Sequence, residues 1–177
     1  LTLAVVATDQ IVKAIVVATL PPGEPVPVLG DVLRLTYVHN DAIAFSIGRG
    51  IPAGLRRVVL LILPLVAIFL ISTYYLTSEQ LTRIQRWLLA AILGGGIGNY
   101  IDRVIQPDGV IDFIDIKFYG IFGLSRFPTF NIADSSVVVA GIILLASSLF
   151  ITKRPTRNYN PGDFSPGIGV AQEHTED

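Results

Sequence analysis

Residues 55–76 read LRRVVLLILPLVAIFLISTYYL, a 22-residue run whose only charges are Arg56 and Arg57 at its start. As a helix such a run rises about 33 Å, enough to cross a hydrocarbon core of about 30 Å. The reading of this stretch sets the fold class, because three more runs can be read the same way. They cover residues 1–20, about 87–105 and about 131–152. The first ends at Pro21-Pro22-Gly23. Asp9 and Lys13 inside it, with no small-x-small site after it, argue for a retained helix rather than a cleaved signal peptide. The expectation is a membrane all-α protein of four transmembrane helices.

Composition agrees. Hydrophobic residues make up 51% of the chain and charged residues 15%, against about 25% charged in an ordinary soluble domain. At 177 residues there is room for one domain. That domain is expected to be a single membrane-embedded unit over residues 1–152, followed by a disordered cytoplasmic tail at 153–177, rich in Asn, Pro and Gly without periodicity. The chain opens Leu1-Thr2-Leu3 with no methionine, so residues before Leu1 are expected.

An even number of spans puts both termini on one side. The loop at 77–86 is short and edged by Tyr74, Tyr75 and Trp87, an aromatic belt. Lys153, Arg154 and Arg157 follow the fourth run on that same side and suggest the cytoplasm. Arg34, Arg49, Arg56 and Arg57 lie on the opposite side, so the positive-inside signal is weak. The long loops share that opposite side. Val32-Leu33-Arg34-Leu35-Thr36-Tyr37-Val38 reads as a strand, as does the stretch 110–119 after a turn at Pro107-Asp108-Gly109. A small β-rich cradle on the outer surface is expected.

Several chemistries are excluded by what is missing. Cysteine is absent, which removes disulfides, thiolate metal sites and a cysteine nucleophile. His39 and His174 are the only histidines, too few for a multi-histidine metal site, and a Ser-His-Asp triad has little to draw on. A net charge of −1 with no basic stripe argues against nucleic acid. Chemistry must come from carboxylates, amides, arginines and backbone, with no metal.

Polar residues inside apolar spans are costly and mark function. Asp9 and Lys13 are four apart on one face of the first run, where a mutually neutralising structural pair is the expected role. In Gly94-Gly95-Gly96-Ile97-Gly98-Asn99-Tyr100-Ile101-Asp102-Arg103, close helix packing explains the glycines but not Asn99 and Asp102. Asp112 sits between Ile111 and Phe113, which should desolvate it and raise its pKa. Asn131 and Asp134 fit a capping arrangement at the start of the fourth run. Because the third run goes outward and the fourth returns, Asn99, Asp102, Asp112, Asn131 and Asp134 fall near one membrane face. Two carboxylates meeting there in a partly dry site would share a proton, which is aspartic-peptidase chemistry. On the residues alone, Asp102, Asp112 and Asp115 stand level as partners for Asp134. A small transporter or assembly subunit, with the aspartates relaying protons or a cation, is the competing class; a lipid-modifying transferase is poorer, with no histidine placed as nucleophile or base.

Five ordered blocks carry a resemblance. Thr8-Asp9-Gln10-x-x-Lys13, Asn40 with Ala44-Phe45-Ser46, Gly95-x-x-Gly98-Asn99-x-x-Asp102-Arg103, Val110-x-Asp112-Phe113-Ile114 and Phe130-Asn131-x-Ala133-Asp134 resemble the signature blocks of lipoprotein signal peptidase (signal peptidase II). The chain departs at Asn40-Asp41-Ala42, where the family has a glycine two after the asparagine, and between Asp112 and Asp134, where it is slightly long. The resemblance implies an aspartic endopeptidase of the bacterial inner membrane, its site facing outward and both termini cytoplasmic. It would cut diacylated prolipoproteins before the lipid-bearing cysteine, with no cofactor. It places the catalytic pair on Asp112 and Asp134. Asn40, Asn99, Asp102, Arg103 and Asn131 would support the site or the substrate, and Asp9 and Lys13 would be structural. Membrane lipids are expected partners, and the protein is expected to act as a monomer.

Overall fold

A computed structural model describes residues 1–40 and 52–150. The expected tail and the loop block Ala44-Phe45-Ser46 lie outside the described residues. Four α-helices and three strands follow in the order α1 (Thr2–Thr19), β1 (Val26–Leu29), β2 (Leu33–Asn40), α2 (Ala53–Thr77), α3 (Arg83–Ile105), β3 (Val110–Ile116) and α4 (Ile132–Phe150), with a short 3-10 turn at Ile121–Gly123.

Among the described residues three helices are long and apolar enough to cross a membrane: α1, α2 and α3. The apolar stretch of α4, Ile132–Ser147, is shorter. Side chains such as Leu63, Phe69, Ile142 and Leu145 project outward and exposed. In water that surface would be an aggregation liability; in hydrocarbon it is the expected one. Pro64 sits inside α2.

The third helix begins at Arg83, four residues before the expected 87. Thr82 caps it through a reciprocal box in which Gln85 N–H donates to Thr82 Oγ1 at 3.2 Å and Thr82 N–H donates to Gln85 Oε1 at 2.9 Å. The turn from α2 is closed by Arg86, whose guanidinium donates to the carbonyls of Tyr75 and Ser78 and lies 5.9 Å from the Tyr75 ring centroid.

At the centre of the bundle, α3 packs against α1, α2 and α4. Its glycines permit the approach. A Cβ on Gly94 would fall 2.7 Å from Val5 Cβ, one on Gly95 would collide with the Ala133 carbonyl oxygen, and one on Gly98 would fall 2.9 Å from Asp9 Oδ2. Small residues let helix backbones meet where no hydrophobic force drives them together.

Both long loops contribute to one antiparallel sheet, ordered β1-β2-β3. The expected strand at 32–38 is β2 at Leu33–Asn40. The stretch read as strand at 110–119 is strand only to Ile116, because the chain turns back there, with Phe118 N–H donating to Ser125 O. The sheet rests on α1, where Ile111 and Phe113 bury against Val16, with Val12, Leu20, Leu35 and Tyr37 around them. After the turn, the returning chain hydrogen-bonds back on β3: Ile114 N–H donates to Phe130 O at 2.8 Å, and Phe130 N–H to Ile114 O at 3.1 Å. That pairing delivers Asn131, the first residue before α4, to the side of Asp112.

Candidate active site

The alternation of side chains along a strand separates the two acids of β3. Asp112 and Asp115 are three apart and so face opposite ways. Asp115 stands across from Arg34 in the β2–β3 register. It accepts from Arg34 Nη2 at 2.6 Å and closely from Arg126 Nε. Burial pushes the Asp115 carboxyl up, but the hydrogen bonds from Arg126 and Arg34 outweigh it and hold it below the usual carboxylate range. Asp115 is a clasp between strands.

Asp102 is also claimed. Lys13 Nζ lies 2.7 Å from Asp9 Oδ2, 2.7 Å from Asp102 Oδ2 and 3.0 Å from Asn99 Oδ1. Its ammonium has three donors, and these three acceptors take them. Asp102 further accepts from Gln10 Nε2 at 2.8 Å and from the Ile111 amide at 3.2 Å. Asp9 accepts from the Ala133 amide at 2.9 Å, which satisfies one orphan donor at the start of α4. Asp9, Lys13 and Asp102 are all buried. The expected Asp9–Lys13 pair is thus part of a three-helix knot, two carboxylates to one cation, tying α1 to α3 and α4. Gln10 completes it. The sequence offered one signal for Gln10, a third polar side chain within one turn of an otherwise apolar helix.

Above this knot, two amides hold the remaining acids. Lysine cannot accept a hydrogen bond, so the oxygen of Asn99 must face Lys13. Its Nδ2 then donates to Asp134 Oδ1 at 2.7 Å. Asn131 reaches further. Its Oδ1 accepts from the Asp134 amide at 2.9 Å, while its own N–H donates to Asp134 Oδ2 at 3.3 Å, a reciprocal capping box. Its Nδ2 donates to Asp112 Oδ1 at 2.7 Å and to Asn99 Oδ1 at 3.0 Å. One asparagine therefore touches both Asp112 and Asp134. Asn40, at the end of β2, donates to the other oxygen of Asp112 at 2.9 Å. Arg103 turns its Nη1 to the Asn99 carbonyl at 3.1 Å.

The electrostatic contrast decides which acids are available. Asp9, Asp102 and Asp115 each have a cation within 3 Å. Among the described residues Asp112 has none; its oxygens meet only amides. Burial pushes it up to about 7, the Asp134 charge adds to the rise, and the amide bonds from Asn40 and Asn131 oppose it. Asp112 is buried, whereas Asp134 is half-buried at the start of α4, where the helix N-terminus favours a negative charge. The arrangement can hold one proton between two carboxylates of unlike surroundings. Asp9, Lys13, Asn40, Asn99, Asp102, Arg103, Asp112, Asn131 and Asp134 are linked through these contacts, whereas Asp115, weighed from the sequence as a partner for Asp134, is held apart by Arg34 and Arg126. No group of acidic or histidine side chains among the described residues is disposed to bind a metal ion.

A family model for signal peptidase (SPase) II matches residues 1–150. The chain belongs to the signal peptidase II family. Similar relatives include the lipoprotein signal peptidase of Treponema denticola, 46% identical over 142 residues that cover 80% of this chain and 82% of that one. That of Treponema pallidum is 44% identical over 165 residues, covering 90% and 89%. A bacterial membrane enzyme solved by the in meso method superposes with a TM-score of 0.72 at 28% identity, covering 87% of this chain and 90% of that one. A second such structure gives 0.71 at 29% identity, covering 85% and 91%. Membership in the signal peptidase II family makes the chain a membrane protease.

Proposed function

We propose that the chain is an aspartic endopeptidase that removes the signal peptide from diacylglyceryl-modified prolipoproteins, cutting before the lipidated cysteine, with Asp112 and Asp134 as its catalytic pair. The reading rests on one observation: among the described residues Asp112 alone of the candidate partners of Asp134 has no cation beside it, and Asn131 joins the two.

In the working form Asp112, its carboxyl pushed up to about 7 chiefly by burial, holds the shared proton and Asp134 is the ionised partner. Asp134 takes a proton from water as its oxygen adds to the scissile carbonyl, while Asp112 gives its proton to the developing oxyanion. On collapse, Asp134 returns its proton to the leaving nitrogen, the carbon–nitrogen bond breaks, and Asp112 recovers the proton from the hydroxyl. Asn99 and Asn131 fix the two carboxyl orientations, Asn40 holds the outer oxygen of Asp112, and Arg103 braces Asn99. The Asp9–Lys13–Asp102 knot supports them from below.

In this account α4 is a fourth span, residues 1–152 form one embedded unit, and 153–177 is a cytoplasmic tail. The protein acts as a monomer in the bacterial inner membrane, with the sheet and the catalytic pair on the outer face, where substrate arrives laterally from the lipid. The shared sheet of the two long loops supports this topology.

Incubation of the purified chain in detergent with a diacylated precursor and its unlipidated counterpart tests the reading. Release of the signal peptide from the lipidated form alone is expected. No cleavage of either, or equal cleavage of both, would overturn it.

A further inference from the structure

Lys117 and Arg126 pair across the turn that follows β3. Between them the chain reads Phe118-Tyr119-Gly120-Ile121-Phe122-Gly123-Leu124-Ser125, with no charge. The catalytic reading leaves this turn unused. Its tip is apolar and open: Tyr119 is 67% exposed, Ile121 51%, Phe122 92% and Leu124 42%. The backbone is built to hold those side chains out. It closes on itself, Phe118 N–H donating to Ser125 O and Gly120 N–H to Leu124 O, both at 2.9 Å. Tyr119 and Phe122 each stand at φ 53°, in the left-handed region that bulky residues avoid. Backbone held there at a cost points to a function for the side chains it presents. Inward from the tip, the rings of Phe122, Phe118, Phe127 and Phe130 follow one another at centroid distances of 6.4, 5.4 and 5.7 Å. The last of them adjoins Asn131.

What covers the tip follows from where the turn is rooted. Its root is the Ile114–Phe130 pair, after which the apolar stretch of α4 starts at Ile132. Ile114 packs, with Leu20 at the end of α1, against the cluster of Val16, Ile111 and Phe113. Two helices therefore end their apolar runs at this level, which sets the root at the membrane boundary. A charged collar separates root from tip: Lys117 lies 2.6 Å from Asp31, Arg126 joins Asp31 to Asp115, and Arg34 reaches Asp115 at 2.6 Å. These charges satisfy one another, so the collar needs water around it but no further ligand. A hydrated collar with an aromatic and aliphatic end beyond it is the make-up of an element lying in the head-group layer. The tip has the same apolar exposure as Ile142 and Leu145 on the lipid-facing helix surface.

We propose that residues 118–125 are a membrane anchor, whose tip enters the lipid leaflet on the sheet's side and holds the sheet to the bilayer beside the catalytic pair. The inference rests on the sheet's lying at the membrane face but not on the peptidase chemistry, and a depth readout keeps the two separable.

Trp87 is the only tryptophan, so Trp87→Phe/Phe122→Trp carries a single fluorescent reporter at the tip. The full chain is reconstituted in phosphatidylcholine vesicles whose acyl chains are brominated at graded depths, with acrylamide as the quencher in water. Bromine should quench the reporter most at about 5–10 Å into the head-group and acyl boundary, the depth of interfacial apolar faces, and acrylamide should quench it far less than free tryptophan. Leu124→Trp in the Trp87→Phe background should behave alike. Adding Ile121→Asp and Leu124→Asp beside the Phe122→Trp reporter should abolish the bromine quenching and open the reporter to acrylamide. The unfolding midpoint in detergent should stay nearly unchanged, since both side chains are exposed. Acrylamide quenching without bromine quenching would overturn the proposal, as would bromine quenching that the two aspartates leave intact. Shielding that arises only at high protein-to-lipid ratio, or only with precursor added, would give the tip to a second copy or to substrate and overturn it equally.

Discussion

Replacing Lys13 with methionine would take the cation out of the knot that joins α1, α3 and α4. Methionine nearly matches lysine in volume, so the change removes charge and hydrogen bonds rather than packing. Lys13 makes contacts of 2.7, 2.7 and 3.0 Å, and the two carboxylates it neutralises, Asp9 and Asp102, are 0% and 3% exposed. Taking one partner from a buried ionic cluster costs about 3–5 kcal/mol, because the remaining charges have neither water nor a counter-ion. A folded domain holds only about 5–15 kcal/mol in total. For a chain of this size the expected fall in unfolding midpoint is on the order of 10 °C. The assay is thermal unfolding in detergent, followed by Trp87 fluorescence at a fixed scan rate. Adding Asp102→Asn to Lys13→Met removes one of the stranded charges and should recover part of the loss. A Lys13→Met midpoint within about 2 °C of the parent would refute the reasoning, as would a double variant less stable than the single by the full cost of Asp102→Asn alone.

Two further outcomes follow from the geometry. Gly95→Ala should lower both the unfolding midpoint and the cleavage rate, by about 1–3 kcal/mol in stability, because its Cβ meets the backbone oxygen of Ala133 beside Asp134. Gly96→Ala, whose Cβ would meet only Ile68 Cγ1 at 3.4 Å and Cδ1 at 3.9 Å, should be nearly silent in both assays. The pH dependence carries a definite sign. Asp112 rises from 3.8 to about 7 in the fold, so the unfolded chain ionises first and stability attributable to this group is lost as pH rises from about 4 to about 7. Cleavage should fall on the alkaline side as Asp112 loses its proton near pH 7, and unfolding midpoints of Asp112→Asn should decline less across that window than those of the parent.

Much of this was legible in the residues and some was not, for physical reasons. Apolar runs betray spans because the bilayer demands length and hydrophobicity together. The start of α3 was missed because Arg83, Gln85 and Arg86 interrupt the apolar count, although Thr82-x-x-Gln85 spelled out a capping box. β1 escaped notice since Pro27 and a fully exposed side-chain pattern suit an edge strand and leave no alternation to read. Asn131 and Asp134 were readable as a cap because that contact is local. The bridge from Lys13 to Asp102 was not, since it joins residues far apart in the chain. The same holds for Asp115, whose arginine partners come from β2 and from beyond the turn after β3. Sequence left three acids level beside Asp134; knowing which ones already hold a cation separates them.

The most direct measurement compares Asp112→Asn, Asp134→Asn and Asp115→Asn for cleavage of a diacylated precursor, each checked for a folded, unaggregated state. The account predicts that the first two lose activity by at least about a thousandfold, as expected when one member of a catalytic pair is removed, while Asp115→Asn stays near the parent rate. Sustained cleavage by Asp112→Asn or Asp134→Asn, or loss of cleavage in folded Asp115→Asn, would contradict it.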